Sequence, residues 1–252
     1  MADELPAYVL IGGSGGIGSA TALRLAKAGA RLMLAGRDQA KLAAIVAELQ
    51  GVKPGDYRTA THDATISAEV DAVFAQATAA FGTISGAACL VGSILLKPAH
   101  LTSDDEFATT LDLNAKTAFY TLRAAVKAMM ATGGSVVLVS TVAAQIGLVN
   151  HEAIAAAKGA VNGLVLSAAA SYAGRGIRVN GVAPGLVRTP LAAKITGSEM
   201  ALKASTAMHP LGRIGEPDDV AAAIAWLLDP ATSWVTGQMI SLDGGISKVR
   251  GK

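Results

Sequence analysis

The 252-residue chain is 52% hydrophobic and carries a formal net charge of +2. That much apolar side chain excludes a disordered segment, and so small a charge gives no electrostatic footing for nucleic acid or an anionic membrane surface. The single cysteine, Cys89, excludes an internal disulfide and fits a reducing compartment, so the cytoplasm is the expected location.

Read in chain order, the first residues, MADELPAYVLIGG, carry acids where a secretory leader carries bases. YVLIGG (8–13) predicts a buried strand, and IGSATALRLAKAG (17–29) a helix with its stop glycine. A second strand is expected at 31–37, a helix at 38–50, and a weaker strand at 56–63. Residues 72–96 hold no charge, but Gln76, Thr78, Gly82, Thr83, Ser85, Gly86, Gly92 and Ser93 interrupt them. A membrane span needs about 20 predominantly apolar residues, so this run reads instead as the end of a helix (67–81), a turn and a strand (85–91). Further on, one long helix is expected at 103–131, a strand at 135–140, a helix at 152–173 and a strand at 177–182. A helix at 217–228 and a strand at 239–245 close the pattern.

Strands alternating with helices over short links imply an α/β architecture: a Rossmann-type, doubly wound parallel sheet of about seven strands with helices on both faces. Nothing divides the chain, so residues 1–252 read as one dinucleotide-binding domain. The exception to the short links is 185–216, an apparently irregular stretch of the kind that serves as a substrate loop or lid.

Chemistry enters at the first strand–helix junction, GGSGGIG. Gly12, Ser14, Gly15, Gly16, Ile17 and Gly18 place unhindered backbone and a helix N-terminus where a pyrophosphate binds. About 20 residues later an acidic side chain would hold the 2′-hydroxyl of NAD. Gly36 stands there instead, followed by Arg37, whose permanent charge suits a 2′-phosphate, so NADP(H) is favoured over NAD(H). Asp38 is expected to pair with Arg37 or to cap the next helix.

Together these segments resemble the short-chain dehydrogenase/reductase family over nearly the whole chain. GGSGGIG is similar to its Gly-x-x-x-Gly-x-Gly loop, with Gly12, Gly16 and Gly18 as the glycines. HDAT places Asp63 at the family's adenine-binding aspartate, and LDLNAKTAF places Asn114 at its structural and proton-relay asparagine. IRVNGVAPGLVRTP implies that Pro184, Gly185 and Thr189 flank the nicotinamide, and HPLGRIGEPDDVAAAIAWLLDPATSWVTGQMISLDGG matches the C-terminal signature. The resemblance also implies a homotetramer or homodimer built on 103–131 and 152–173, and a small-molecule substrate; no metal site is expected.

Two places depart from the family pattern. Its Asn-Asn-Ala-Gly is CLVG here, which keeps only Gly92 and makes Cys89 a small buried filler. Its Tyr-x-x-x-Lys falls on Ile154 and Lys158. A free phenol titrates near 10, and the lysine one turn away brings it toward neutrality as proton donor. Ile154 has no proton to give. Thr141, thirteen residues earlier, stands at the family's serine and keeps a hydroxyl, while strand alternation turns Ser140 to the other side. Lys158 keeps a role as ribose ligand and, with Asn114 and water, in a relay. His151, just ahead of the helix, is the candidate replacement acid, with Glu152 beside it. His209 lies in the 185–216 segment, could approach on closure and is a second candidate acid; His62 and His100 lie elsewhere. Tyr172 is too far along its helix to replace the phenol, and Tyr120 reads as packing. The expected function is hydride transfer on a small carbonyl or alcohol with a non-standard proton donor. The alternatives are an inactive dinucleotide-binding protein and a lyase or isomerase on the same scaffold.

Overall fold

The computed structural model describes residues 5–249. The expectation of a leaderless start rests partly on residues 1–4, and the 1–252 domain reading extends to 250–252; both sets lie outside the described residues.

Seven parallel strands form one sheet in the order β3-β2-β1-β4-β5-β6-β7. They are β1 (Ala7–Ile11), β2 (Arg31–Gly36), β3 (Tyr57–Thr61), β4 (Gly86–Cys89), β5 (Gly134–Val139), β6 (Ile177–Pro184) and β7 (Met239–Leu242). The order reverses beside β1, between β2 and β4, and this places a crevice at the carboxyl ends of the strands.

Alternation along each strand builds two cores. Val9, Ile11 and Met33 face α3 (Ser67–Phe81), α5 (Thr117–Met129) and α6 (Glu152–Tyr172) through Phe74, Val126 and Val161. Tyr8, Leu10, Leu32 and Leu34 face α1 (Gly16–Lys27), α2 (Gln39–Val52) and α9 (Pro217–Leu228) through Leu25, Leu42 and Ile224. A strand buried on both faces reads as an unbroken apolar run, which is why AYVLI and RLMLAG stand out in the sequence. By length and composition Glu152–Arg175 is apolar enough to cross a membrane; in this fold the same helix packs on β6 and buries Val161 and Val165.

Local signals fix the helix ends. Asp38 accepts the Lys41 N–H and starts α2. Ser103 and Glu106 form a capping box at α4 (Asp104–Leu111), and Glu216 with Asp219 does the same at α9.

Two expectations need correction. The helix expected over 103–131 is α4 and α5 joined by a π-helical turn, Asp112–Lys116, which contains Asn114. The supposedly irregular 185–216 holds a 3₁₀ turn (Pro190–Ala192), α7 (Ala193–Thr196) and α8 (Glu199–Met208). Ser198 caps α8 by accepting the Ala201 N–H, a signal present in the sequence and overlooked.

Candidate active site

The glycine loop occupies the end of β1. Gly12 turns with φ +86°, a conformation that L side chains rarely adopt, and a Cβ there would stand 2.9 Å from the backbone of Leu90 and Val91. A Cβ on Gly18 would overlap the Gly12 carbonyl. Gly15 stands at the N-cap of α1 without a side-chain cap, and no acid occupies the first turn. Helix N–H groups left open in this way suit an anion. A Cβ on Gly16 would lie 3.0 Å from Thr189 Cγ2, so the loop runs directly beneath the start of the 185–216 segment.

Arg37 and Asp63 lie away from this point, at the ends of β2 and β3. Asp38 is taken by the helix cap and by Lys41 Nζ at 3.4 Å, so it does not pair with Arg37. Arg37 is exposed and has no hydrogen bond or ion pair among the described residues. The Asp63 carboxyl is held below its ordinary range, first by the Thr65 hydroxyl at 2.7 Å and the Thr65 N–H at 2.9 Å, with a smaller contribution from the Arg37 charge. Both Thr65 bonds fall on Oδ1, which leaves Oδ2 open. At Gly36 a Cβ would stand 2.9 Å from Ser14 Oγ, so this side chain fills the space beside the residue where the acid would be.

At the other end of the crevice is a cavity of about 260 Å³ with mostly apolar walls. It brings together Asn114, Thr141, His151 and Lys158, which sequence reading assigned to catalysis. Ile17, Gly92, Pro184, Gly185 and Thr189, assigned to the cofactor, line the same space. Ile154 is buried in its wall, four residues before Lys158 on α6.

Lys158 is buried, and its ammonium donates to the Val139 carbonyl at 2.8 Å. Burial pushes its pKa down from 10.5 to about 8, with only a weak opposing influence from Cys89. Asn114 is fully buried on the π turn. Its Nδ2 donates to Ser93 Oγ and the Thr110 carbonyl, each at 2.9 Å, and its Oδ1 accepts the Ser93 N–H at 3.2 Å. Interruptions of this kind in an α-helix recur at functional sites. Thr141 stands at the end of β5, where its hydroxyl lies 3.4 Å from the Pro184 carbonyl. Ser140 instead donates to Asn162 Oδ1 on α6 at 2.6 Å, which uses its hydroxyl.

His151 sits at the start of α6 behind Asn150, which has φ 63°. Its Nδ1–H donates to the Val149 carbonyl at 2.8 Å, which leaves Nε2 as the free ring nitrogen. His209, which the sequence offered as a residue that could approach on closure, is already buried in the cavity wall. Among the lining residues that sequence reading did not assign to the site are Ser93, Ser205, Met208 and Ile246. No local motif marks them; they arrive from loops and from α8 through the tertiary fold. Tyr120 and Tyr172 pack against the core, and Cys89 is a buried free thiol within it. Among the described residues, no group of three His, Cys, Asp or Glu side chains is placed to hold a metal ion.

The family model described as enoyl-(acyl carrier protein) reductase matches residues 12–247. A 2,5-dichloro-2,5-cyclohexadiene-1,4-diol dehydrogenase of Sphingobium indicum is 36% identical over 248 residues, 96% of this chain and 96% of the relative. A solved short-chain type dehydrogenase/reductase from Mycobacterium ulcerans superposes with a TM-score of 0.92 at 36% identity, covering 98% of this chain and 91% of that one. A solved actinorhodin polyketide ketoreductase with NADPH superposes with a TM-score of 0.90 at 27% identity, covering 99% and 100%. The chain belongs to the short-chain dehydrogenase/reductase family of oxidoreductases.

Proposed function

We propose that this chain is an NADP(H)-dependent oxidoreductase of small, compact, largely apolar alcohols and carbonyl compounds. In this reading the proton is handled by Lys158 and Asn114, with His151 or a water in place of the phenol. The observation that carries it is that a Lys158 ammonium with one protein acceptor shares an apolar cavity with the Thr141 hydroxyl, at the mouth of the glycine loop. The related diol dehydrogenase and the ketoreductase with NADPH support the substrate class and the cofactor.

The residues fit a dinucleotide. Gly12 and Gly18 hold the loop in a close turn whose backbone leaves no room for a Cβ, the open start of α1 suits the pyrophosphate, and Oδ2 of Asp63 is open for an adenine amine. Arg37, without an ion partner among the described residues, suits a 2′-phosphate. Lys158 has two spare N–H donors for ribose hydroxyls. When bound, such a cofactor supplies or takes up the hydride. Thr141 orients the reacting oxygen through its hydroxyl. Lys158 and Asn114 then hold a proton path to that oxygen, and the apolar wall, Ile154 included, excludes bulk water.

The same reading takes 185–216 as the substrate lid and the cytoplasm as the location. It assembles a homodimer or homotetramer through exposed apolar side chains such as Phe107, Phe119 and Leu166. The test is thermal stabilisation by NADPH and NADH, followed by NADPH oxidation against cyclic ketones and aldehydes. Stronger stabilisation by NADPH and carbonyl-dependent oxidation are expected. Stabilisation without turnover would leave only a dinucleotide-binding protein, and no stabilisation by either cofactor would overturn both readings.

A further inference from the structure

A buried amine keeps its charge through a counter-ion or several acceptors. Lys158 has little of either. It is 6% exposed, no carboxylate pairs with it among the described residues, and its one protein acceptor is the Val139 carbonyl at 2.8 Å. Ile154, one helical turn before it on α6, is apolar and buried in the same cavity wall. Burial lowers the pKa of the amine to about 8, and Cys89, at the end of β4, opposes this only in part. At pH 8 about half of such amines are neutral, against roughly one in 300 for a lysine at 10.5.

The amine is placed where a small molecule can reach it. Gly92 and Val139 line the cavity together with Lys158, and both lie against the end of its side chain. The bond to Val139 uses one N–H, so the neutral amine keeps a second N–H and its lone pair. Position 92 carries no Cβ to cover it, since a methyl there would stand 3.3 Å from Nζ. The cavity measures about 260 Å³. An apolar cavity of about 150 Å³ holds benzene, so a six-membered ring ketone fits this one. Nucleophilic lysines are of this kind: desolvated, partly uncharged near neutral pH and walled by apolar side chains.

We infer that Lys158, beside the apolar Ile154, is a covalent capture site whose Nζ condenses with the carbonyl carbon of a small apolar ketone or aldehyde to form an imine. In the first step the nitrogen lone pair forms the N–C bond, the carbonyl π bond opens onto oxygen, and one amine hydrogen moves to that oxygen. In the second step the C–O bond breaks, the other amine hydrogen leaves with the oxygen as water, and the C=N bond forms. Nothing is oxidised or reduced. The apolar walls that exclude water also slow the return hydrolysis. This activity is separate from hydride transfer and needs no cofactor, but the two compete: an amine turned to ribose hydroxyls is not free to attack a carbonyl.

The test incubates the cofactor-free wild type with cyclohexanone at pH 8, reduces the imine with sodium cyanoborohydride, and maps the modified lysines by peptide mass spectrometry. One cyclohexyl group on Lys158 is expected, added at least about 10-fold faster than on any other lysine, since its neutral fraction is so much higher. Label spread over the surface lysines, with Lys158 no faster than the rest, would overturn the inference. So would a folded wild type that takes up no label. Ile154→Tyr should slow the labelling of Lys158 roughly 10-fold, because a phenol beside the amine favours its charged form. Labelling of that variant at the wild-type rate would also overturn it, and the wild-type map stands even if the variant fails to fold. Saturating NADPH should protect Lys158. Label on Lys158 that NADPH does not diminish would support the capture site and remove the lysine from the cofactor's contacts, so the two readings fail separately.

Discussion

Lys158 and Asn114 converge over Gly92. A Cβ at position 92 would stand 3.3 Å from the lysine Nζ and 2.9 Å from the asparagine Oδ1. The two side chains come from different elements, α6 and the π turn between α4 and α5, and a bare backbone at 92 lets both reach the same space. They are held unequally. Three hydrogen bonds fix the Asn114 carboxamide, whereas the Lys158 ammonium has one protein acceptor. The carboxamide is thus a fixed wall of the site, and the amine is the group with donors to spare.

Gly92→Ala should damage both stability and chemistry. The Asn114 carboxamide cannot retreat without breaking its bonds to Ser93 and Thr110, so the added methyl acts as overpacking, at a cost of about 1–3 kcal/mol. We expect a lower Tm and a kcat/KM reduced by at least about 10-fold, since misplacement of positioned groups is costly. Unchanged values for both would show that Lys158 and Asn114 do not depend on this glycine.

Ile154→Tyr should raise turnover. Position 154 is in the cavity wall, one helical turn before Lys158 on the same face. A phenol there would meet the ammonium, which favours phenolate and moves its pKa down. Positioned acid–base catalysis is typically worth about 10²–10⁴-fold, so steady-state reduction of a cyclic ketone should rise within that range. No gain, in a variant that still binds NADPH, would mean that the 154 side chain does not reach the reacting oxygen.

The sheet was legible because both of its faces are covered, so its strands are unbroken apolar runs such as AYVLI. The glycine loop was legible because close backbone approach leaves so few other residues possible at Gly12 and Gly18. The π turn at Asn114 was not, since a single inserted residue leaves the helical period of 103–131 almost unchanged. His209 was placed too far from the site because α8 was taken for irregular chain; its ring position depends on the Ser205 carbonyl and on Gly185, contacts that no spacing rule displays. The choice between Asp38 as a partner for Arg37 and as a helix cap was open in the sequence, and the Lys41 N–H decides it.

Arg37→Ala should separate the two cofactors. With Asp38 committed to α2, the guanidinium is free to meet a 2′-phosphate. A charge-assisted hydrogen bond is worth about 1.5–3 kcal/mol, so the KM for NADPH should rise roughly 10- to 100-fold while that for NADH stays nearly level. Equal changes for both cofactors would assign Arg37 no role in selecting between them.

Lys158→Met should abolish catalysis yet stabilise the cofactor-free fold near neutral pH. Burial disfavours the charged amine and lowers its pKa to about 8 in the fold, against 10.5 in the unfolded chain. Between those two pH values the unfolded chain holds the proton and the folded chain does not, so the wild type gains stability as pH rises through the window. Below about pH 8 the full penalty is present, on the order of 3 kcal/mol for a shift of this size. Methionine removes that penalty, although the Val139 carbonyl then loses its donor at a cost of about 1 kcal/mol. The variant's advantage in Tm, measured without cofactor, should therefore be greatest at pH 7 and shrink toward pH 10. A Tm difference that is flat across that range would show that the Lys158 ammonium is as well solvated in the fold as in the unfolded chain.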